Sequence, residues 1–300
     1  MTPVVLSALA LILTGPAPVL LARSKWTAKV PRAAIVLWQS MALSAVLAAF
    51  GAGLAIGLQF LHDDDPSTAQ VVLHAAITTL TCVVAIRLAW SAAKVAIRTR
   101  ARRRRHRMLV DLVGAPDDAR KELRILAEQT PLAYCLPSLT DARVVISSGT
   151  LATLDDAELQ AVLEHERAHL RARHDLVLEA FAALREAFPK FLRGRVALEN
   201  KALEQNQALV EMLADDAARR RVGATHVARA LVRLSESPVP SEALAASGTM
   251  TLERIQRMTS PPDSHPLLAA ATYMTAAALV IVPTLTVAIP WIARLVQELA

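Results

Sequence analysis

Residues 159–169 read LQAVLEHERAH, and this stretch decides the fold at the centre of the 300-residue chain. Apolar residues recur in it at the spacing of one helix face, beginning with Leu159 and Leu163. Asp155 precedes the pattern as a candidate N-cap. We therefore predict a helix that begins after Asp155 and continues to about Phe188.

The histidines of this stretch have the spacing of a metal site. His165 and His169 are four residues apart, so both imidazoles lie on one helix face and can bind one metal ion. Glu166 follows the first histidine, where a carboxylate can act as general base and then general acid in hydrolysis. Imidazole ligands favour zinc, and we expect one Zn²⁺ per chain. The alternative is a solvated helix face that carries two histidines and a carboxylate.

A second predicted helix, from about Val196 to Arg221 with Gly223 as its cap, offers a third ligand. Glu211 and Asp215 also lie four residues apart on one face of that helix. Glu211 would complete a two-histidine, one-glutamate site that keeps one position open for water. Asp215 would orient one imidazole by a hydrogen bond. The alternative for this pair is a charged stripe at the end of a helix.

Other titratable residues are weaker candidates for a role in the metal site. His226 would either stabilise a tetrahedral oxyanion or lie on the surface. His174 is about 140° around the helix from His169, which argues against a fourth metal ligand. Cys135 would either inhibit a bound metal as a thiolate or be a small buried strand residue, and we favour the second interpretation.

The remaining elements of the central segment are short. Turn residues separate two short, largely apolar stretches, which predicts a strand pair, and periodicity predicts two further helices. These elements are a short amphipathic helix at 117–128, strands at 132–136 and 143–147, a third helix at 224–235, and a linker at 237–262.

The composition indicates a membrane protein. Hydrophobic residues make up 54% of the chain and charged residues 20%, and the apolar residues are concentrated in runs. A span needs about 20 apolar residues, and the runs at 3–21, 33–61, 71–93 and 266–292 are suitable. Disorder and collagen are excluded, and two cysteines do not make a disulfide scaffold. We predict a mainly α membrane protein with four transmembrane helices and an α+β domain with a short β-sheet.

The charges of the loops predict the orientation. Loop 22–32 has four basic residues and no acidic one, loop 62–70 has three aspartates and no basic residue, and segment 94–107 has eight basic residues and no acidic one. The positive-inside rule then places the N-terminus outside the plasma membrane and residues 94–265 in the cytoplasm. No basic residue precedes the first run, so we interpret it as a retained span rather than a signal peptide.

The excess of basic residues that gives the chain its net charge of +6 lies directly after the third span. Segment 94–107 contributes +8, whereas residues 108–265 contain 19 basic and 23 acidic residues, or −4. Because the arginine run follows a span directly, we expect it to contact anionic lipid headgroups, and we expect no direct nucleic-acid partner.

Residues 131–218 resemble the catalytic core of gluzincin membrane metalloproteases. These include the CAAX prenyl protease and HtpX type and the BlaR/MecR-type antirepressor proteases. The resemblance rests on VVISSG at 144–149, on LQAVLEHERAH, and on EMLAD at 211–215. It implies a gluzincin-like zinc protease domain in which His165, His169 and Glu211 bind zinc. It also implies that Glu166 is catalytic and that Asp215 is the final residue of the second motif.

The order of three spans, a cytoplasmic zinc domain and a fourth span is similar to that of the BlaR/MecR group. The resemblance implies a signal-transducing endopeptidase whose protein substrate is a BlaI/MecI-type transcriptional repressor. We expect the strand at 144–147 to bind an extended substrate by β-augmentation. An HtpX-like quality-control protease for membrane proteins and a non-catalytic membrane scaffold are the alternatives.

The chain departs from this group in two places. It ends at Ala300 without the penicillin-binding domain of the β-lactam sensors, so we expect no β-lactam input. Nine residues after His165, where relatives usually have aspartate, this chain has His174, and Asp175 follows at once. Either of these two residues would then support the zinc site.

Together these inferences divide the chain. The predicted segments are transmembrane helices at 1–22, 33–61, 71–93 and 266–292, a cytoplasmic basic loop at 23–32, an extracytoplasmic loop at 62–70, a basic juxtamembrane segment at 94–107, a cytoplasmic zinc metalloprotease domain at 108–236, a linker at 237–265, and an extracytoplasmic tail at 293–300.

Overall fold

The computed structural model describes residues 2–58, 66–190, 196–235, 252, 254–258, 264–291, 293 and 296. Part of the predicted loop 62–70 and most of the predicted linker 237–265 lie outside these residues. The chain forms two compact units. The first comprises Met1–Val95, Ala180–Asn206 and His265–Ala300, and the second comprises Ala96–Glu179 and Gln207–Ser264.

Helices dominate the described residues. In chain order they are α1 (Thr2–Thr14), α2 (Pro16–Arg23), α3 (Pro31–Gly57), α4 (Thr68–Val113), α5 (Ser148–Thr153), α6 (Asp156–Ala172), α7 (His174–Ala187), α8 (Ala197–Val222), α9 (Ala224–Ser235) and α10 (Pro266–Pro283). Residues 254–258 are also helical. The strands are β1 (Ala115–Pro116), β2 (Leu123–Leu126), β3 (Ala133–Leu136) and β4 (Arg143–Ser147).

The first unit contains long apolar helices that pack through small residues. Leu6 of α1 packs against Ala48 and Ala52 of α3. A Cβ atom at Gly53 or Gly57 of α3 would collide with a threonine side chain of α4, so both positions need glycine for this close approach. Among the described residues, four helical stretches are long and apolar enough to cross a membrane, namely Pro3–Arg23, Pro31–Gly57, Thr68–Val113 and Pro266–Pro283. Helices therefore occur at all four predicted spans, and their insertion into a membrane stays a prediction.

The second unit contains a four-stranded sheet in the order β1-β2-β4-β3. β4 pairs in parallel with β2 and antiparallel with β3, so the predicted strand pair is confirmed. β4 has partners on both sides, and the predicted β-augmentation along 144–147 is therefore wrong. Within the described sheet, β3 lies next to β4 and is an edge strand.

The predicted amphipathic helix at 117–128 is also wrong. The Asp117 side chain accepts hydrogen bonds from the backbone N–H groups of Ala119 and Arg120, which forms a turn. β2 follows, and its Leu123 is buried with Val144 and Ile146 of β4. Pairing with β4 and burial of Leu123 therefore override a weak helical periodicity.

The helix predicted to continue to Phe188 is divided in two. α6 begins with a capping box in which the Asp155 and Glu158 side chains accept each other's backbone N–H groups. It ends at Ala172, because Arg173 has a left-handed φ of 51°, and α7 begins at His174. The predicted end of α8 is confirmed, because Gly223 has a φ of 89° directly after it.

Candidate metal centre

Two helices bring the predicted metal ligands together. His165 and His169 lie one turn apart on α6, with their Nε2 atoms 3.1 Å apart. Glu211 of α8 places its two carboxylate oxygens 3.3 Å from Nε2 of His165 and 3.4 Å from Nε2 of His169. Packing against the sheet positions α6, because Leu163 of this helix is buried against Leu123 and Val144.

The donor set fits zinc. Ligand atoms bound to a tetrahedral zinc at about 2.0–2.1 Å lie roughly 3.3 Å from one another. Potential ligand atoms of His165, His169 and Glu211 all lie within 4.8 Å of one another, and the closest pairs are 3.1–3.4 Å apart. Two imidazoles and one carboxylate are also the ligand chemistry of hydrolytic zinc sites. The residues could therefore hold one zinc ion with a coordination position left for water.

Each imidazole is held from its far side. Nδ1 of His165 is 3.0 Å from a carboxylate oxygen of Asp215, whose side chain is almost fully buried. Nδ1 of His169 is 3.0 Å from Nδ1 of His174. Such contacts fix the ring orientation and leave the Nε2 atoms free to bind a metal ion. Asp215 therefore lies where the sequence predicts an orienting residue.

His174, and not Asp175, contacts a predicted ligand. Because Arg173 breaks the helix, His174 does not continue the α6 face from which the angle of about 140° is measured. It is buried and packs edge-on against the His169 ring. Asp175 instead accepts hydrogen bonds from Arg103 and Arg173.

Arg254 is a site residue that the sequence reasoning missed, because the segment around it was interpreted as linker. Its guanidinium donates two hydrogen bonds of 2.7 Å to Asp215 and lies 3.2 Å from Glu211. One turn on, Arg257 makes a similar two-bond pair with Asp216. The sequence does contain a signal for these contacts, since two arginines three residues apart could pair with two adjacent aspartates. Spacing alone, however, does not show that two segments so distant in sequence come together.

Glu166 lies in the cleft beside the ligands. Burial raises the pKa of its carboxyl group, and the Glu211 charge acts in the same direction, while His165 opposes the shift. Its side chain is hydrogen-bonded to the Cys135 thiol of β3. Burial and the charge of Glu166 raise the pKa of that thiol, so Cys135 is held as a neutral thiol rather than a thiolate.

The ligand residues have strongly perturbed pKa values. Burial opposes charge on His165, but its hydrogen bonds with Asp215 and Glu211 raise its pKa to about 9. Burial lowers the pKa of His169 to about 4. Burial would raise the pKa of Glu211, yet the His165 contact lowers it to about 2. Such clustered shifts are typical of functional sites.

His226 is separate from this group. It interacts electrostatically with Asp155 at the start of α6. Among the described residues, those that line the cleft do not include His226. His226 is half-buried, and its Nδ1 atom is buried without a hydrogen-bond partner among the described residues, so the predicted contact with an oxyanion stays a prediction.

Comparison with known proteins assigns the family. The model of peptidase family M48, whose members are zinc metalloproteases, matches residues 96–262. The match includes both motifs and Arg254. Comparisons with curated proteins and with solved structures found no match. Because the matched residues make up more than half of the 300-residue sequence, the chain belongs to peptidase family M48.

Proposed function

We propose that this chain is an integral membrane zinc endopeptidase. One observation carries the proposal: the half-buried Glu166 lies in the same cleft as His165 and Glu211, which form a zinc-compatible group with His169. Four long apolar helices of the same chain support insertion into a membrane. Family membership supports metalloprotease chemistry.

The residues of the site have distinct tasks in this proposal. Bound zinc supplies Lewis-acid chemistry, since it polarises a carbonyl and lowers the pKa of water. Glu166 takes a proton from the attacking water and passes it to the leaving amine as the peptide bond breaks. Its raised pKa suits this exchange, because a carboxyl group that releases its proton too readily is a poor acid. Asp215 and His174 hold the two imidazoles, and Arg254 holds Asp215.

Metal content and cleavage test the proposal in detergent-purified full-length protein. We expect about one zinc per chain in the wild type, the same content in Glu166→Ala, and much less in Glu211→Ala. Both variants should lose peptide cleavage. Glu204→Ala is the matched control, because Glu204 is an exposed residue of the same helix as Glu211. Cleavage by Glu166→Ala at the wild-type rate would refute the mechanism, and a folded wild type that binds no added zinc would favour a scaffold.

We propose that the substrate is an extended segment of a cytoplasmic transcriptional repressor. β3 is the sheet edge whose residue Ala133 lines the cleft, so an extended chain can pair with β3 as it passes Glu166. The repressor follows from the resemblance to the BlaR/MecR group. Purified BlaI/MecI-type repressor should be cleaved by wild type and not by Glu166→Ala. An intact repressor, together with accumulation of misfolded membrane proteins in a deletion strain, would instead favour the HtpX-like function.

We also propose that anionic lipid headgroups contact the exposed arginines of α4. Arg103 and Arg107 are half-buried, and both make hydrogen bonds within the second unit. The exposed members of the run are Arg98, Arg100, Arg102, Arg104 and Arg105. Anionic lipid in nanodiscs should raise the unfolding temperature of wild type more than that of a variant with these five changed to Gln. A matching gain from an oligonucleotide, lost in the same variant, would support nucleic acid instead.

A further inference from the structure

The cleft at the metal centre has two chemically different sides. Its volume is about 200 Å³. His165, Glu166 and Glu211 lie on the polar side. The other side is apolar and is formed mainly by α9. No residue of this helix has a role in the reaction proposed above.

The apolar side is a single helix face. Val227, Ala230, Leu231 and Leu234 follow one another at spacings of three, one and three residues, so they lie on the same face of α9, and all four line the cleft. Val227 and Ala230 are buried, whereas Leu231 and Leu234 are half-buried. Two residues of this face are therefore fixed by burial, and the other two, Leu231 and Leu234, keep part of their surface exposed.

Contacts with α6 fix this wall in place. Val227 packs against Ala161, and Ala230 packs against Val162. Arg233, on another side of α9, forms an ion pair of 3.0 Å with the fully buried Glu158 and donates to the Thr153 carbonyl. A wall held by core packing and a buried ion pair can select among side chains because it does not rearrange around each of them.

The apolar surface and the size of this side of the cleft determine which substrate side chains it can bind. Its α9 wall offers no hydrogen-bond partner from a side chain, so a charged substrate group placed there would lose its hydration without compensation. An apolar cavity of about 150 Å³ is large enough for benzene. The cleft of about 200 Å³ therefore has room for one aliphatic or aromatic side chain beside the reacting groups.

We propose that the α9 face formed by Val227, Ala230, Leu231 and Leu234 is the specificity wall that binds one apolar substrate side chain next to the scissile bond. This inference rests on the endopeptidase function proposed above. It defines the substrate class as peptides with leucine, methionine or phenylalanine at one position flanking that bond. Leu231 and Leu234 set the size limit, because they are the two wall residues that are only half-buried.

Amino-acid hydroxamates test the wall without any need for catalysis. In zinc-loaded full-length protein, leucine hydroxamate should bind at least about tenfold more tightly than glycine hydroxamate, and aspartate hydroxamate should bind no better than glycine hydroxamate. Leu231→Ala should reduce the preference for leucine and improve binding of the phenylalanine compound. Arg229→Ala, an exposed position of the same helix, is the control and should change neither value. Equal zinc-dependent binding of the leucine and glycine compounds would overturn the proposal.

A peptide library separates this proposal from the proposed function. Wild type should cleave next to an apolar residue, and Leu231→Ala should change the ranking of kcat/KM between leucine and phenylalanine peptides rather than lower both equally. Cleavage with no apolar preference would refute the wall and leave the endopeptidase intact. Hydroxamate discrimination with no cleavage of any peptide would refute the endopeptidase and leave the α9 face as an apolar binding wall.

Discussion

At the residue scale, the second imidazole of the site is held by another imidazole. His174 contacts Nδ1 of His169, whereas the carboxylate of Asp215 contacts Nδ1 of His165. A carboxylate makes its imidazole a more basic ligand than an imidazole partner does. The two zinc-binding histidines of the proposed site are therefore chemically unequal, and His174 acts through His169 as a positioning residue.

We predict that His174→Ala weakens zinc affinity by about 10- to 100-fold, because the His169 ring loses the contact that fixes its orientation. His174→Asp should restore much of the affinity by supplying another acceptor. Competition with a chelator measures both values. His226→Ala removes a histidine that does not belong to the ligand group and should leave zinc affinity unchanged. Unchanged zinc affinity in a folded His174→Ala would show that His174 does not position the ligand.

At the element scale, α6 is held between the sheet and α8. Leu163 packs into the core of the sheet, and Arg167 forms an ion pair of 2.7 Å with Glu122 just before β2. The Glu122 backbone N–H and then the Arg167 guanidinium hold the pKa of the Glu122 carboxyl below its ordinary value of 4.5. Charged Glu122 is thus more favourable in the folded chain than in the unfolded chain.

We predict that Glu122→Gln lowers the free energy of unfolding at neutral pH by about 0.5 kcal/mol, because the pair is substantially solvent-exposed. A depressed folded-state pKa stabilises above the unfolded pKa, and this contribution disappears as the pH falls through the folded value. The difference between wild type and variant should therefore shrink as the pH falls below the ordinary pKa of 4.5. Denaturant unfolding at neutral pH and at a series of lower pH values measures it. A difference that stays constant with pH would mean that the charge of Glu122 is not its source.

At the scale of the whole molecule, the basic residues favour one orientation in the membrane. The arginine run of α4 follows the apolar part of that helix directly, and acidic residues lie on the other side of the predicted span. The proposed orientation places the zinc site in the cytoplasm, where a repressor would be cleaved.

Cysteine labelling in intact cells tests this orientation, in a background where Cys82 and Cys135 are changed to Ala. A membrane-impermeant maleimide should label Asp64→Cys in intact cells. It should label Leu139→Cys, an 89% exposed position in the second unit, only after permeabilisation. Labelling of Leu139→Cys in intact cells would reverse the orientation and exclude a cytoplasmic repressor as substrate.

The sequence by itself determined what depends on positions within one helix or one run. The spacing of His165 and His169 fixes their shared face, Gly223 marks the end of α8, and apolar runs of about 20 residues indicate the long helices. These features depend on local geometry, which the order of residues specifies directly. The same holds for the pairing of β3 with β4, which a short turn connects.

Only the tertiary structure decided which distant segments meet. Arg254 reaches Asp215 across 39 residues, β2 pairs with β4 to leave β3 at the edge, and His174 comes beside His169 because Arg173 adopts a left-handed conformation. The α9 wall of the cleft depends likewise on packing against α6. Such contacts follow from the burial of whole faces and the pairing of charges between elements, and these energies are absent from any single stretch of the chain.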